Sequence, residues 1–89
     1  MDEIFSTIQK LSETVNSYKL EHPNDPVLRA MLLNLEELQS ELHKSKPDKE
    51  KVDQIHYGIL RAYQDLMSDI ENRDFHEETK KLLLELNNF

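Results

Sequence analysis

The amino-acid sequence predicts an all-α protein, an up-down-up-down bundle of four antiparallel helices. Apolar residues recur at alternating steps of three and four in four stretches of the chain, which is the spacing of one helix face. With only 1 Gly and 3 Pro, the sequence has little material for tight hairpin turns. The connections between the stretches are short, and short connections make neighbouring helices antiparallel.

The 89 residues make one small domain, residues 1–89, because no linker or repeat divides them. In a domain of this size, the stabilisation gained by burying one core only slightly exceeds the conformational entropy lost on folding. Stability therefore depends on long amphipathic helices or on a partner. The alternative fold is therefore a three-helix unit or a helical hairpin that is completed by dimerisation.

The first helix is predicted from Asp2 to Glu21. It ends near His22, because a residue that precedes proline is pushed out of the α region. In the following turn, Asp25 is placed to cap the next helix and Pro26 to take its first position, where the missing N–H costs nothing. The apolar face of the first helix consists of Ile4, Ile8, Leu11, Val15 and Tyr18.

The second helix is predicted from Pro26 to Lys44, and either Ser45 or Asp48 can cap the helix that follows. Its apolar face consists of Leu28, Met31, Leu35, Leu38 and Leu42, widened by Val27, Leu32 and Leu33. Its polar face consists of Glu36, Glu37, Ser40 and Glu41.

The third helix is predicted from Lys49 to Asn72 and carries two apolar stripes on neighbouring faces. A helix that is apolar over half its circumference must be covered from at least two sides, so we expect the other helices to pack against it. Gly58 marks either a close approach of a neighbouring backbone or a tolerated defect of ~1 kcal/mol. The stripes are Val52, Ile55, Ile59, Ala62 and Leu66, and His56, Leu60, Tyr63, Met67 and Ile70.

The fourth helix is predicted from Phe75 to Asn87. Asp74, followed three residues later by Glu77, resembles a capping box, and Phe75 begins a new apolar stripe that continues through Leu82, Leu86 and Phe89. The alternative is one continuous helix over residues 49–88. In the four-helix topology, the 22–26 and 72–75 turns lie at one end of the bundle, and both termini and the 45–48 turn lie at the other.

Composition and charge narrow the classes of function. The sequence has no cysteine, no apolar run of ~18 residues and no basic, apolar leader after Met1, so we expect a soluble intracellular protein. The net charge of −7 repels phosphate backbones, which disfavours nucleic-acid binding. An acidic inhibitor that mimics nucleic acid is an alternative, although its acids are interleaved with lysines.

The candidate chemical groups do not assemble into a catalytic or metal motif. His22 and His76 belong to turns at the same end, but no third ligand is spaced to join them, and we expect both to be solvated. Asp53 and His56 are half of a di-iron carboxylate motif that lacks its second half, and we expect His56 to be partly buried. No serine lies in a strand-to-helix elbow or beside a glycine-rich loop. We therefore predict a protein that is not an enzyme and needs no metal or cofactor.

Two further surface features could contact a partner: the lysines around the 45–48 turn and the leucines of residues 82–86. Four lysines surround the 45–48 turn and predict a locally basic end, which suits either anionic lipid or solvent: Lys44, Lys46, Lys49 and Lys51. The run Leu82-Leu83-Leu84-Glu85-Leu86 has more leucines than one buried face can hold. Either Leu83 or Leu84 therefore stays outside the core, where it contacts a partner or solvent.

The order of these signals resembles the enterocin A-type immunity proteins of pediocin-like (class IIa) bacteriocins. The resemblance spans about residues 20 to 89 and consists of turns and stripes rather than an invariant chemical motif. It is carried by the Asn24-Asp25-Pro26 turn, the Pro47-Asp48 turn, Ile59 and Tyr63 in a long third helix, residues 72–75, Glu77-Glu78 and the terminal Leu82 to Leu86.

The resemblance implies a cytoplasmic four-helix bundle that protects its producer by associating with the bacteriocin's membrane receptor, the membrane part of the mannose phosphotransferase system. In that family the C-terminal half selects the bacteriocin. The residues implied here to contact the partner are Arg73, His76, Lys80, Lys81, Asn87, Asn88 and Phe89. The sequence departs from the family by ending at Phe89, close after the last helix. A small helical adaptor or secretion chaperone is the remaining alternative, and the sequence fits either a monomer or a homodimer.

Overall fold

The computed structural model describes residues 2–89 and contains four helices. They are α1 (Asp2–Glu21), α2 (Pro26–Leu42), α3 (Lys49–Leu66) and α4 (Arg73–Asn87). All four share one hydrophobic core, so the predicted all-α four-helix bundle is confirmed.

The first turn follows the predicted chemistry. Oδ1 of Asp25 accepts hydrogen bonds from the backbone N–H groups of Val27 (2.9 Å) and Leu28 (3.4 Å), and Pro26 begins α2. At the other end of α2, the helix stops at Leu42 rather than at the predicted Lys44. It stops because the Lys44 N–H bonds to the carbonyl only three residues back, which tightens the last turn and releases the chain into the loop.

Helix α3 begins as predicted, with Asp48 as its cap, but ends at Leu66, six residues before the predicted Asn72. Ile70 is buried, but it lies in the loop after α3 and not in the helix. The predicted helix was too long because Ile70 continues the apolar spacing of α3. The continuous 49–88 helix is therefore wrong. Helix α4 starts at Arg73 because Asn72, not Asp74, is the cap: the Asn72 side chain accepts a hydrogen bond from the Phe75 N–H (3.2 Å).

The expectation that α3 is a central helix is wrong. Within residues 2–89, α1 and α3 do not pack against each other; each packs against both α2 and α4, so the four helices occupy the corners of a square. Helices α1 and α4 run antiparallel, since Thr7 near the start of α1 bonds to Glu85 near the end of α4, whereas Tyr18 late in α1 meets Phe75 early in α4.

The core contains most of the predicted apolar faces and centres on Phe75. This ring is fully buried and lies 5.7 Å from the ring of Tyr63 and 6.4 Å from that of Tyr18, measured between centroids. Three residues of the predicted apolar faces are instead on the surface, because Leu33 is 55 % exposed, Met67 is 48 % exposed and Phe89 is 40 % exposed. The buried apolar side chains are Ile4, Ile8, Leu11, Val15, Leu28, Met31, Leu32, Leu35, Leu38, Leu42, Val52, Ile55, Ile59, Ala62, Tyr63, Leu66, Ile70, Phe75, Leu82 and Leu86.

Gly58 marks a close approach, but of a side chain rather than of the backbone that the sequence suggested. A Cβ atom at this position would lie 2.6 Å from Oδ1 of Asn34 on α2. The absence of a side chain at Gly58 therefore lets Asn34 lie against α3.

Candidate functional site

The outer face of α4 is the strongest candidate for a binding surface. Arg73, Lys80 and Leu84 recur at helical spacing on the side of α4 that is opposite the buried Phe75 and Leu82, and all three are exposed. Arg73 is held in an ion pair with Glu77, one turn later (2.9 Å), and both side chains remain largely in solvent. Such a pair contributes little to stability, so this face is not required by the fold.

Of the two leucines that the sequence left open, Leu84 is the one that the fold does not bury. Leu82 and Leu86 are buried, and Leu83 packs against the edge of the core. Leu84 is 62 % exposed, in the middle of the α4 outer face. The sequence left Leu83 and Leu84 as equal candidates, because choosing between them requires knowing which flank of α4 faces α3.

Another predicted contact residue, Lys81, lies at a flank of α4. The Lys81 ammonium is 3.5 Å from a carboxylate oxygen of Glu3, on the side of α4 that faces α1. On the same side, the Thr7 hydroxyl donates to Glu85 across the α1–α4 boundary (3.2 Å). Lys81 is therefore engaged within the bundle, whereas Lys80 is exposed on the outer face.

The end of α4 holds three more of the predicted residues. Asn88 is the cap, and its N–H donates to the Glu85 carbonyl (3.2 Å). Asn87 is exposed, and the Phe89 ring is partly exposed beside it. This end presents amide groups and one aromatic ring to solvent.

His76 is half-buried and both of its ring nitrogens are hydrogen-bonded, contrary to the expectation of a solvated histidine. Its Nε2–H donates to the carbonyl of Ile70 (2.6 Å), and its Nδ1 accepts from the Tyr63 hydroxyl (2.9 Å). Both ring nitrogens are thus used to fix the α3–α4 connection against α3. His22 lies exposed in its own turn. His76 positions α4 rather than presenting a free imidazole.

The basic end is less basic than the lysine count suggests. Glu41, predicted on the polar face of α2, is only 2 % exposed, because it accepts the Asp48 N–H across the loop (3.2 Å). The Lys44 and Lys51 ammonium groups lie 3.1 and 3.7 Å from the same carboxylate. The backbone hydrogen bond from Asp48, together with these lysines, lowers the pKa of Glu41. Two of the four lysines are therefore occupied in closing the α2–α3 loop.

The outward flank of α3 completes the surface next to α4. His56, partly buried as predicted, and Leu60 lie on the side of α3 that faces α4, and Asp53 is exposed beside them. Farther round α3, Tyr57 is exposed beside Arg61, whose guanidinium carbon lies 6.0 Å from the centroid of the Tyr57 ring. Among residues 2–89, no three His, Asp or Glu side chains converge as metal ligands.

Comparison with protein-family models, with curated proteins and with solved structures finds no match for this chain. Across residues 2–89, no helix combines the length and apolarity that crossing a membrane requires. The candidate surface therefore rests on the geometry of α3 and α4 alone.

Proposed function

We propose that this protein is a non-enzymatic immunity factor that protects its producing cell from a pediocin-like bacteriocin. It acts by binding another protein, the membrane receptor of that peptide, from the cytoplasmic side. Its binding surface is the outer face of α4, with Lys80, Leu84 and the amide-rich end at Asn87 to Phe89.

The exposure of Leu84 is the observation that carries this proposal. α4 holds Leu84 in water with 62 % of its surface exposed, and since complete burial of a leucine is worth about 1.5–3 kcal/mol, covering the exposed part of Leu84 stabilises a complex by about 1–2 kcal/mol. Its neighbours along the face are Lys80 and Asn87, so an apolar centre is bordered by polar groups, which is the arrangement of a protein-binding surface.

The resemblance to the enterocin A-type immunity proteins supports the more specific part of the proposal. The helix order and the turns at Asp25 and Asp48 agree with the pattern on which that resemblance is based. His76 serves the proposed surface indirectly, because its hydrogen bonds to Ile70 and Tyr63 fix where α4 begins.

The test is a protection assay in a sensitive lactic-acid bacterium. We expect expression of the chain to raise tolerance to one member of a panel of pediocin-like peptides. Leu84→Gln removes the apolar centre while keeping a good helix former, and we expect it to abolish that protection. Leu33→Gln, at a similarly exposed position on α2 (55 %), is the matched control and leaves protection intact.

Two results would contradict the proposal. One is unchanged killing by every peptide in the panel when the wild-type chain is expressed. The other is an equal loss of protection in Leu84→Gln and Leu33→Gln, with both proteins folded by circular dichroism and present at equal amounts.

A further inference from the structure

We infer that a cleft at one end of the bundle binds a small aliphatic ammonium ion, that is, an amine with a short hydrocarbon stem. The cleft lies where the end of α1, the start of α2 and the loop after α3 come together, and its volume is about 280 Å³. Ligand pockets in proteins begin at about 300 Å³, so the occupant is small. The inference goes beyond the proposed immunity function and does not depend on it, because the described residues that line the cleft belong to other elements than α4.

One wall of the cleft is apolar. It is lined by Leu28, Leu66 and Ile70, whose side chains are 2 %, 3 % and 5 % exposed. Tyr18 lies beside them, with its ring packed edge-on against Phe75 at 6.4 Å between centroids. Apolar surface of this kind is stabilised when it covers a hydrocarbon stem instead of water, and an aromatic ring attracts a nearby cation.

The remaining lining of the cleft is polar and carries negative charge. Asp25, the cap of α2, and Asp69, in the loop after α3, line it together with His22. The ion pairs found among residues 2–89 join other side chains, so neither aspartate is paired with a cation. The last turn of α3 contains no basic residue either, although the negative end of the helix dipole favours one there. The cleft therefore places uncompensated negative charge next to an apolar wall.

These groups favour an ammonium ion over a metal ion or a guanidinium. Within the described residues, no three His, Asp or Glu side chains are arranged as metal ligands, although His22, Asp25 and Asp69 border the same cleft. Oδ1 of Asp25 already accepts the N–H groups of Val27 and Leu28, which makes this carboxylate unsuited to the two-pronged contact of a guanidinium. An ammonium group has three donors around a point charge and can bond to single oxygens in different directions.

The charge of the whole chain also favours a cationic ligand. The net charge is −7, and a negative field raises the local concentration of cations near the surface. Arg29, four residues after Asp25, does not offset the charge of the cleft by pairing with that aspartate, because its guanidinium donates to the Pro23 carbonyl (3.5 Å). An ammonium ion is therefore attracted at long range by the chain and at short range by the two aspartates.

The test is a titration of the isotope-labelled full chain with n-butylammonium chloride, followed by the NMR shifts of the backbone amides. We expect saturable shifts at residues 18–28 and 66–70, with a dissociation constant on the order of 1 mM, which suits a ligand of so few atoms. Two matched ligands separate the parts of the site. n-Butanol has the stem without the charge and ammonium chloride has the charge without the stem, and we expect each to bind about tenfold more weakly or worse.

Two substitutions test the aspartates while keeping the fold. Asp25→Asn retains a good helix cap, and Asp69→Asn changes an exposed loop residue. We expect each to raise the dissociation constant for n-butylammonium about threefold to fivefold, because each removes one ion pair to the ligand, and the double variant to raise it further. Asp53→Asn removes the same charge at an exposed position near the other end of α3 and is the matched control, which should bind like the wild type.

Several results would overturn the inference. One is the absence of saturable shifts up to roughly 20 mM n-butylammonium, far above the expected constant. Others are equal binding of n-butanol, or equal constants for Asp25→Asn, Asp69→Asn and Asp53→Asn. The same shifts with magnesium chloride would identify a metal site, and tighter binding of the blocked peptide Gly-Lys-Gly would identify a lysine side chain of a partner protein as the occupant. None of these results bears on the protection assay, which needs no added amine.

Discussion

The contact between Asn34 and Gly58 gives a quantitative test of how α2 packs on α3. A methyl group added by Gly58→Ala would lie 2.6 Å from Oδ1 and 3.1 Å from Cγ of Asn34, so the amide must rotate away. In doing so it gives up its hydrogen bond to the Ala30 carbonyl (3.0 Å). The substitution in the wild-type chain therefore has one favourable and one unfavourable consequence for the free energy of unfolding.

The two consequences are similar in size. Replacing glycine by alanine within a helix stabilises it by about 1 kcal/mol, and loss of one hydrogen bond costs about 1 kcal/mol. We expect Gly58→Ala to leave stability nearly unchanged in the wild-type chain. In an Asn34→Ala background the obstruction is gone, and Gly58→Ala should stabilise by about 1 kcal/mol, which raises Tm by roughly 4–8 °C in a domain of this size.

The assay is a double-mutant cycle measured by urea and thermal unfolding, followed by circular dichroism. The coupling between Asn34→Ala and Gly58→Ala is expected at about 1 kcal/mol. Glu37→Ala, on the exposed face of α2, is the control background and should show no coupling. An equal gain from Gly58→Ala in all three backgrounds would refute the contact between Asn34 and Gly58.

Three further predictions concern stability. The Asp48 N–H and two lysines lower the pKa of Glu41 from its ordinary 4.5. The Glu41 carboxylate therefore stabilises the fold at pH values above 4.5, and this stabilisation is lost as the pH falls through the pKa of the folded state. Glu41→Gln should therefore lower the urea midpoint at about pH 7, with the difference from wild type narrowing toward about pH 3; a constant difference would contradict this. Tyr63→Phe leaves Nδ1 of His76 without its donor and should cost about 1 kcal/mol by urea unfolding, whereas Tyr57→Phe, at an exposed ring, should cost nothing measurable. Phe75→Leu should cost about 1 kcal/mol or slightly more by thermal unfolding, and no loss would place the ring outside the core.

Much of the fold could be predicted because it depends on local chemistry. The cap at Asp25 and the proline after it are fixed by residues that are adjacent in sequence, and α1 has the predicted bounds. The end of α3 was misplaced because Ile70 continues the apolar spacing but packs from a loop. The start of α4 was misplaced because Asn72 and Asp74 can both cap a helix, and only the bond to Phe75 distinguishes them.

The errors in the candidate surface have a different origin, since they depend on contacts between elements. Glu41 is spaced as a polar residue of α2, and nothing in its own helix shows that the Asp48 N–H will cover it. His76 is spaced as a surface residue, and its burial depends on where Tyr63 and Ile70 lie. Periodicity identifies the faces of single helices, but the neighbour of each flank is determined only once the four helices are assembled.

The most direct test of the proposed function is survival of sensitive bacteria challenged with a panel of pediocin-like peptides. The proposal expects cells that carry the wild-type chain or Leu33→Gln to survive one of these peptides, and cells that carry Leu84→Gln to die like unprotected cells. Survival of the Leu84→Gln cells at the wild-type level would show that the outer face of α4 is not the surface through which the protein acts.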